Sequence, residues 1–171
     1  MAAGQRILKG DRDLIKILFI CHGNICRSPM AEFVLKDMAE KMHIEDMFDI
    51  ASCATSTEEI WNGRGNPVYP PAVRELEKHG ISCEGKRARQ LIESDYDSYD
   101  MLIGMDSENI RNIERMTGHK KGDKIYKMME FADSSRDVAD PWYTGDFDKT
   151  YRDILEGCRG LLKYLKGRGM I

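Results

Sequence analysis

A chain of 171 residues, 42% apolar and 32% charged, has the make-up of one globular domain with a sizeable core. Its net charge of -3 offers no basic field for nucleic acid, and no apolar run reaches the length of a membrane span. The five cysteines (Cys21, Cys26, Cys53, Cys83, Cys158) are odd in number, which argues against a disulfide scaffold and for a reducing, cytoplasmic setting. No C-x-x-C occurs and the four histidines are scattered, so no structural metal site is expected.

The start, "MAAGQRILKGDRD", mixes charges through its length and lacks the apolar core of a secretory signal. It reads as a polar arm, residues 1–13, ahead of a single domain over 14–171. "LIKILFI" (Leu14 to Ile20) is a nearly continuous apolar run, as expected of a strand covered on both faces. After a short loop, "MAEFVLKDMAEKM" has helical spacing, with Phe33, Val34, Met38 and Met42 near one side. "MFDIASCAT" predicts a second strand, in which Cys53 is a packing residue. Residues 57–71 predict a loop by their Gly, Asn and Pro content. A helix over 72–80 follows, closed by Gly80. "YDMLIGM" predicts a third strand, and "DSENIRNIERM" a helix capped by Asp106. A fourth strand falls within 123–131. Residues 134–146 predict a loop, and 147–167 a long amphipathic helix that buries Cys158. Strands alternating with helices imply an α/β fold, a parallel sheet with helices on both faces. Ligands in such folds sit beyond the carboxyl ends of the strands.

The segment "CHGNICRSPMAE" falls at such an end. A short loop wrapped ahead of a helix turns backbone N–H groups inward and adds the helix dipole, which makes an anion nest. Pro29 suits the first helical position, where its missing N–H costs nothing. Gly23 and Asn24 are the residues best able to take left-handed backbone angles. Arg27 adds a planar fork that can grip two oxygens of a phosphate. The features that attract a tetrahedral oxyanion also favour a thiolate at Cys21. The Ser28 hydroxyl has one donor to offer that sulfur. A thiolate beneath a bound phosphorus is a nucleophile for phosphoryl transfer. A bare C-x5-R recurs by chance, with a buried Cys and a surface Arg; the full run C-x-G-N-I-C-R-S-P is far more specific.

Phosphoryl transfer needs a proton for the leaving oxygen. Asp140 in "DVADPWYTGD" precedes Pro141, which biases it to extended backbone. There it could serve as general acid and then as base on a water. Trp142 and Tyr143 could wall a cleft for an aromatic group. On its own, an Asp-Pro pair in a polar loop is usually only a turn.

The residues together resemble the low-molecular-weight protein tyrosine phosphatases. The anchors are "CHGNICRSPMAE", "ASCATSTEE", "HGI", "ARQL", "YDMLIGMD" and "DPWY", in the family's order from about Ile15 to the last helix. The resemblance implies three layers, α/β/α, with a four-stranded parallel sheet and a phosphate-binding loop after the first strand. It implies a phosphocysteine mechanism without metal or cofactor. Cys21 is then the nucleophile, Arg27 the phosphate clamp and Asp140 the general acid, with His22, Gly23, Asn24, Ile25, Cys26 and Ser28 in the loop. Ser28 would stabilise the Cys21 thiolate, and Asn24, Ser52 and His79 would hold the loop in shape. His79 equally suits a helix C-terminus, and Ser52 could be satisfied by backbone alone. Asp106 would cap its helix and stand behind Arg27. Cys26 would trap an oxidised Cys21 as a disulfide; the plainer alternative is a small packing residue.

In one place the pattern departs. The family commonly carries a substrate-gripping aromatic where this chain has Glu58, and an aromatic comes three residues later as Trp61, within an apparent insertion "WNGRG". Glu58 and Glu59 at the mouth would disfavour very acidic peptides, and Trp61 would either complete the wall or pack outward. The substrate implied is a phosphotyrosine protein or peptide, with inorganic phosphate or vanadate as competitors, no nucleic acid or membrane partner, and a monomeric enzyme. Arginine phosphatases share the scaffold but carry Thr at the position of Ile25. Arsenate reductases need two further neighbouring thiols, and Cys83 has none in "CEGKRARQLIES". A silent phosphate-binding module would have lost Cys21, Arg27 or Asp140.

Overall fold

The chain's structure, a computed structural model, describes residues 14–171. The polar arm expected over 1–13 lies outside the described residues. The expected strands pair in one parallel sheet, ordered β2-β1-β5-β6: β1 (Ile15–Cys21), β2 (Phe48–Ala54), β5 (Met101–Gly104) and β6 (Ile125–Lys127). Central β1 explains its own composition. Ile17 and Phe19 point into a core shared with helices α1 (Arg27–Lys41), α2 (Pro70–Lys78) and α6 (Phe147–Gly167). Leu18 and Ile20 point to the opposite core, under α3 (Asp95–Ser98) and α4 (Ser107–Thr117). Both faces are dry, so the strand is apolar throughout. Cys53 and Cys158 are fully buried on opposite faces. No described helix is long and apolar enough to cross a membrane.

Four local differences have physical causes. Helix α1 begins at Arg27, so Pro29 is its third residue. The N–H it lacks is still one of the first four, which have no partner within a helix. The stripe α1 buries is Met30, Ala31, Val34, Leu35 and Ala39; Phe33 and Met38 pack at its edge, while Met42 lies past the last turn and is half exposed. Residues 57–71 are not all loop. They hold a small hairpin, β3 (Ile60–Trp61) and β4 (Arg64–Gly65), and α2 begins at Pro70. The hairpin turn is Asn62-Gly63, both at positive φ (50° and 75°), the pair that matches the twist of a two-residue hairpin. Gly65 is required there, because a Cβ would fall 1.8 Å from the Ala88 carbonyl oxygen. The loop over 134–146 likewise holds one helical turn, α5 (Pro141–Thr144), capped by Asp140.

Candidate active site

The parallel sheet delivers Cys21 to the carboxyl end of β1, opposite Ala54 of β2. Thr55 and Ser56 then donate their N–H groups to the carbonyls of Cys21 and His22, and Tyr69 donates to that of Ile25, so the loop is pinned from outside. Inside, Asn24 takes the left-handed conformation (φ 59°) and turns its backbone N–H to the Cys21 sulfur, 3.3 Å away. Gly23 keeps an ordinary φ. The Ser28 Oγ lies 3.0 Å from the same sulfur. The N-cap residue of α1, Cys26, makes no side-chain cap bond, which suits an anion-binding end.

The strained Asn24 is held by its own amide. Its Nδ2 donates to Ser28 Oγ (2.8 Å) and Ser52 Oγ (2.9 Å), and its Oδ1 accepts from the Arg89 N–H (3.2 Å). Ser52 in turn donates to the Glu32 carboxylate at 2.6 Å. Glu32 is buried, and Lys36 (2.6 Å) and Lys86 (3.4 Å) balance its charge. Burial lowers the Lys86 pKa, against the pull of Glu32. Ser52 spends its hydrogen on Glu32, and Asn24 fills an acceptor site on Ser28. The Ser28 hydroxyl then has two acceptors within reach, the Cys21 sulfur at 3.0 Å and, further off, the Cys53 carbonyl at 3.4 Å.

Arg27 is buried beside this loop. Its NH1 meets Asp106 Oδ2 at 2.7 Å and its NH2 meets Asp140 Oδ2 at 3.3 Å. Burial opposes the guanidinium charge, but Cys21, Asp106 and Asp140 outweigh it and hold the Arg27 pKa above its ordinary value. Asp106 does two jobs. Its Oδ1 caps α4 through the Asn109 N–H at 2.7 Å while Oδ2 holds Arg27. Asp140 is also shared, since Oδ1 accepts from the Trp142 N–H at 3.0 Å. Its loop is fixed from two sides, by Val138 N–H on the Met105 carbonyl and by Thr150 Oγ1 on the Ala139 carbonyl.

The cleft above Cys21 measures about 230 Å³ and brings together Cys21, Arg27, Asp140, Trp142, Tyr143 and the two carboxylates Glu58 and Glu59. Tyr69 packs against Trp142 with ring centroids 5.4 Å apart. Ile25 and Cys26 also line the cleft, and Ile25 packs in a small apolar cluster with Cys26 and Ala88. Burial, then the neighbouring Cys21 and Asp140, raise the Cys26 pKa from 9.0 to about 12. A larger cleft, about 600 Å³, opens beside α4 near Ser107, Lys127 and Ser135. It holds no thiol or histidine, and Lys127 there is already paired with Asp137.

Two residues take the plainer of the two roles open to them. His79 does not join the Asn24 network. Its Nε2 is 3.1 Å from Glu75 Oε2 and its ring stacks on Tyr151 of α6 at 3.7 Å, because it caps the C-terminus of α2. Glu32 and Lys86 supply the support instead. Trp61 does not line the cleft; it stands on the hairpin, 70% exposed. The sequence held a signal for Glu32: it lies four residues after Ser28, hence on the same face of α1. Lys86 and Tyr69 carried none beyond their nearness to the "ARQL" and "YPP" segments.

A buried cysteine cradled by a hydroxyl, a positive-φ amide and a doubly braced arginine, at the end of a parallel strand, defines a phosphate-handling thiol enzyme. The chain belongs to the low molecular weight phosphotyrosine protein phosphatase family, whose model matches residues 16–169. It is 39% identical over 151 residues to the low molecular weight protein-tyrosine-phosphatase YfkJ of Bacillus subtilis, a match covering 87% of this chain and 94% of that one. It is 33% identical over 153 residues to PtpA of Staphylococcus aureus, covering 89% and 94%. The crystal structure of YfkJ superposes with a TM-score of 0.85 at 37% identity, over 93% of this chain and 99% of that one. The drosophila arginine phosphatase DARP superposes at 0.78 with 26% identity, over 88% and 98%.

Proposed function

We propose that this chain hydrolyses phosphotyrosine in proteins or peptides, with Cys21 as nucleophile. The observation that carries the reading is the convergence of the Cys21 sulfur, Arg27 and Asp140 on one cleft walled by Trp142. The phosphoryl oxygens would rest on the loop N–H groups and Arg27. The Cys21 sulfur attacks phosphorus, the bond to the tyrosine oxygen breaks, and Asp140 gives its proton to that oxygen. A water then attacks the phosphocysteine, Asp140 takes back a proton, and inorganic phosphate leaves. Ser28 steadies the sulfur as an anion, both before attack and as it departs.

The similarity to an arginine phosphatase makes phosphoarginine the competing substrate. Ile25 favours tyrosine: it lines the cleft and fills space that a guanidinium with its attacking water needs. Cys26 lines the cleft too, which supports its role as the trap for an oxidised Cys21. Five buried thiols suit a cytoplasmic setting.

The test is phosphate release from a phosphotyrosine and a phosphoarginine peptide side by side, with Cys21→Ser as control. Preference for phosphotyrosine, no turnover by Cys21→Ser and retained vanadate binding are the expected results. Normal turnover by Cys21→Ser would remove the nucleophile assignment; preference for phosphoarginine would overturn the reading of Ile25.

A further inference from the structure

The phosphate loop opens between two clefts. The first holds Glu58 and Glu59 beside Cys21. The second, about 350 Å³, lies beyond Arg27 and is bordered by Asp106, Glu108, Asp137 and Asp140. Among the described residues, Arg27 is the one Lys or Arg side chain lining either of them. A site that receives a phosphate dianion thus carries carboxylates, not cations, around its rim.

These carboxylates are unequally answered. Asp106 and Asp140 share Arg27, and Asp137 has Lys127 at 2.9 Å. Glu58 has the His22 ring nitrogen at 3.0 Å, an imidazole and not a lysine or arginine. Glu59 has the Asn66 amide at 2.8 Å, which brings no charge. Glu108 is exposed and meets no cation or hydrogen-bond donor among the described residues. Glu58 and Glu59 belong to the segment running into the hairpin, whose base is fixed by Asn66 N–H on the Glu59 carbonyl and Ala88 N–H on the Asn66 carbonyl. Their charges are therefore held at the rim and not on a free loop.

Resting on the phosphotyrosine reading, we propose that the preferred substrates carry lysine or arginine beside the phosphotyrosine. The floor of the site handles the phosphate charge through Arg27 and the loop N–H groups. The rim then repels any further anion and attracts a cation placed a few residues along the peptide, within a Debye length of about 8 Å. Glu58 and Glu59 take the flank on one side, Glu108 the flank on the other. This gives Glu58 a role in selecting neighbours of the phosphotyrosine.

The test compares kcat/KM for two phosphotyrosine peptides that differ only in lysine or glutamate at the flanking positions, alongside free phosphotyrosine. The expected result is a preference for the lysine peptide of roughly tenfold at low salt, shrinking severalfold as ionic strength rises. Charge reversal in Glu58→Lys with Glu108→Lys should collapse or invert that ratio. Glu58→Gln alone should lower it, and keeps the test independent of how well the double variant folds. Equal kcat/KM for both peptides, or a ratio that ignores salt and these substitutions, overturns the proposal while leaving the phosphatase reading intact. Hydrolysis of neither peptide nor free phosphotyrosine overturns the phosphatase reading, and this proposal with it.

Discussion

The floor and the rim of the cleft are built in opposite ways. Cys21, Asn24, Arg27, Ser28, Glu32 and Ser52 are all buried, and each touches at least one other through a hydrogen bond or ion pair except where Arg27 turns to Asp106 and Asp140. Trp142 and Tyr143 are 61% and 85% exposed, and the Glu58 carboxylate pairs with the half-exposed His22 ring. The floor fixes atoms for chemistry, where a displacement of an ångström is costly. The rim offers surface for recognition, where each contact is worth little and can be exchanged.

The sharpest way to break this contrast lies with the acid. Asp140→Ala should slow turnover by roughly 10²–10⁴. The loss should shrink as the leaving group becomes more acidic, because a good leaving group needs no proton. Equal losses across a series of aryl phosphates would deny Asp140 that role. Next comes the buried support. Glu32→Ala removes the acceptor of Ser52 and the counter-charge of Lys86, and should lower stability by about 3 kcal/mol, read from the urea midpoint. It should also reduce kcat, since the chain of hydrogen bonds behind Ser28 is broken at its far end. A Glu32→Ala protein with wild-type kcat would show that Asn24 holds the loop unaided.

At the rim, Trp142→Ala should raise KM for phosphotyrosine peptides severalfold with little change in kcat, the pattern of a lost binding contact. An effect on kcat as large as that of Asp140→Ala would erase the distinction between floor and rim. The smallest effect is in alkali. Burial raises the Cys158 thiol, and raises Cys26 from 9.0 to about 12. A thiol kept protonated by the fold stabilises it fully below the unfolded value near 9, and that contribution fades as pH rises towards the folded value. Stability should therefore decline above about pH 9 by up to ~1.4 kcal/mol per pH unit for each such thiol. Cys158→Ala should flatten that slope, measured by urea unfolding at pH 8 and 10.5.

The same contrast decides what the sequence could tell. The fold was legible because its signals are local and strong: a strand apolar on both faces, a capping Asp106 and a long amphipathic α6. Cys21, Arg27, Ser28 and Asp140 were legible because a short, specific run and a resemblance named them together. His79 stayed between two roles because "HGI" fixes the end of a helix, where the structure has it, and nothing local says which way its ring turns. The place beneath the loop went to Lys86 and Glu32, a pair far apart in sequence. The hairpin was readable from Asn62-Gly63 alone, yet the Gly and Pro around it read equally well as loop. Where Trp61 points depends on the approach of β4 to Ala88, a contact between segments that no window of sequence contains.

Arg27 is braced by partners 79 and 113 residues further along the chain, and β1 pairs on both sides with strands that follow it. Contacts of such long separation form late, after the entropy of closing large loops has been overcome. A nascent chain still lacking the segment around Asp140 has its nucleophile in place in sequence but no clamp geometry and no acid. Activity should then return during refolding only with the last long-range contacts, and trail the recovery of helix signal. A chain whose α6 has not yet docked should therefore be silent, since Thr150 of that helix holds the carbonyl of Ala139, next to Asp140.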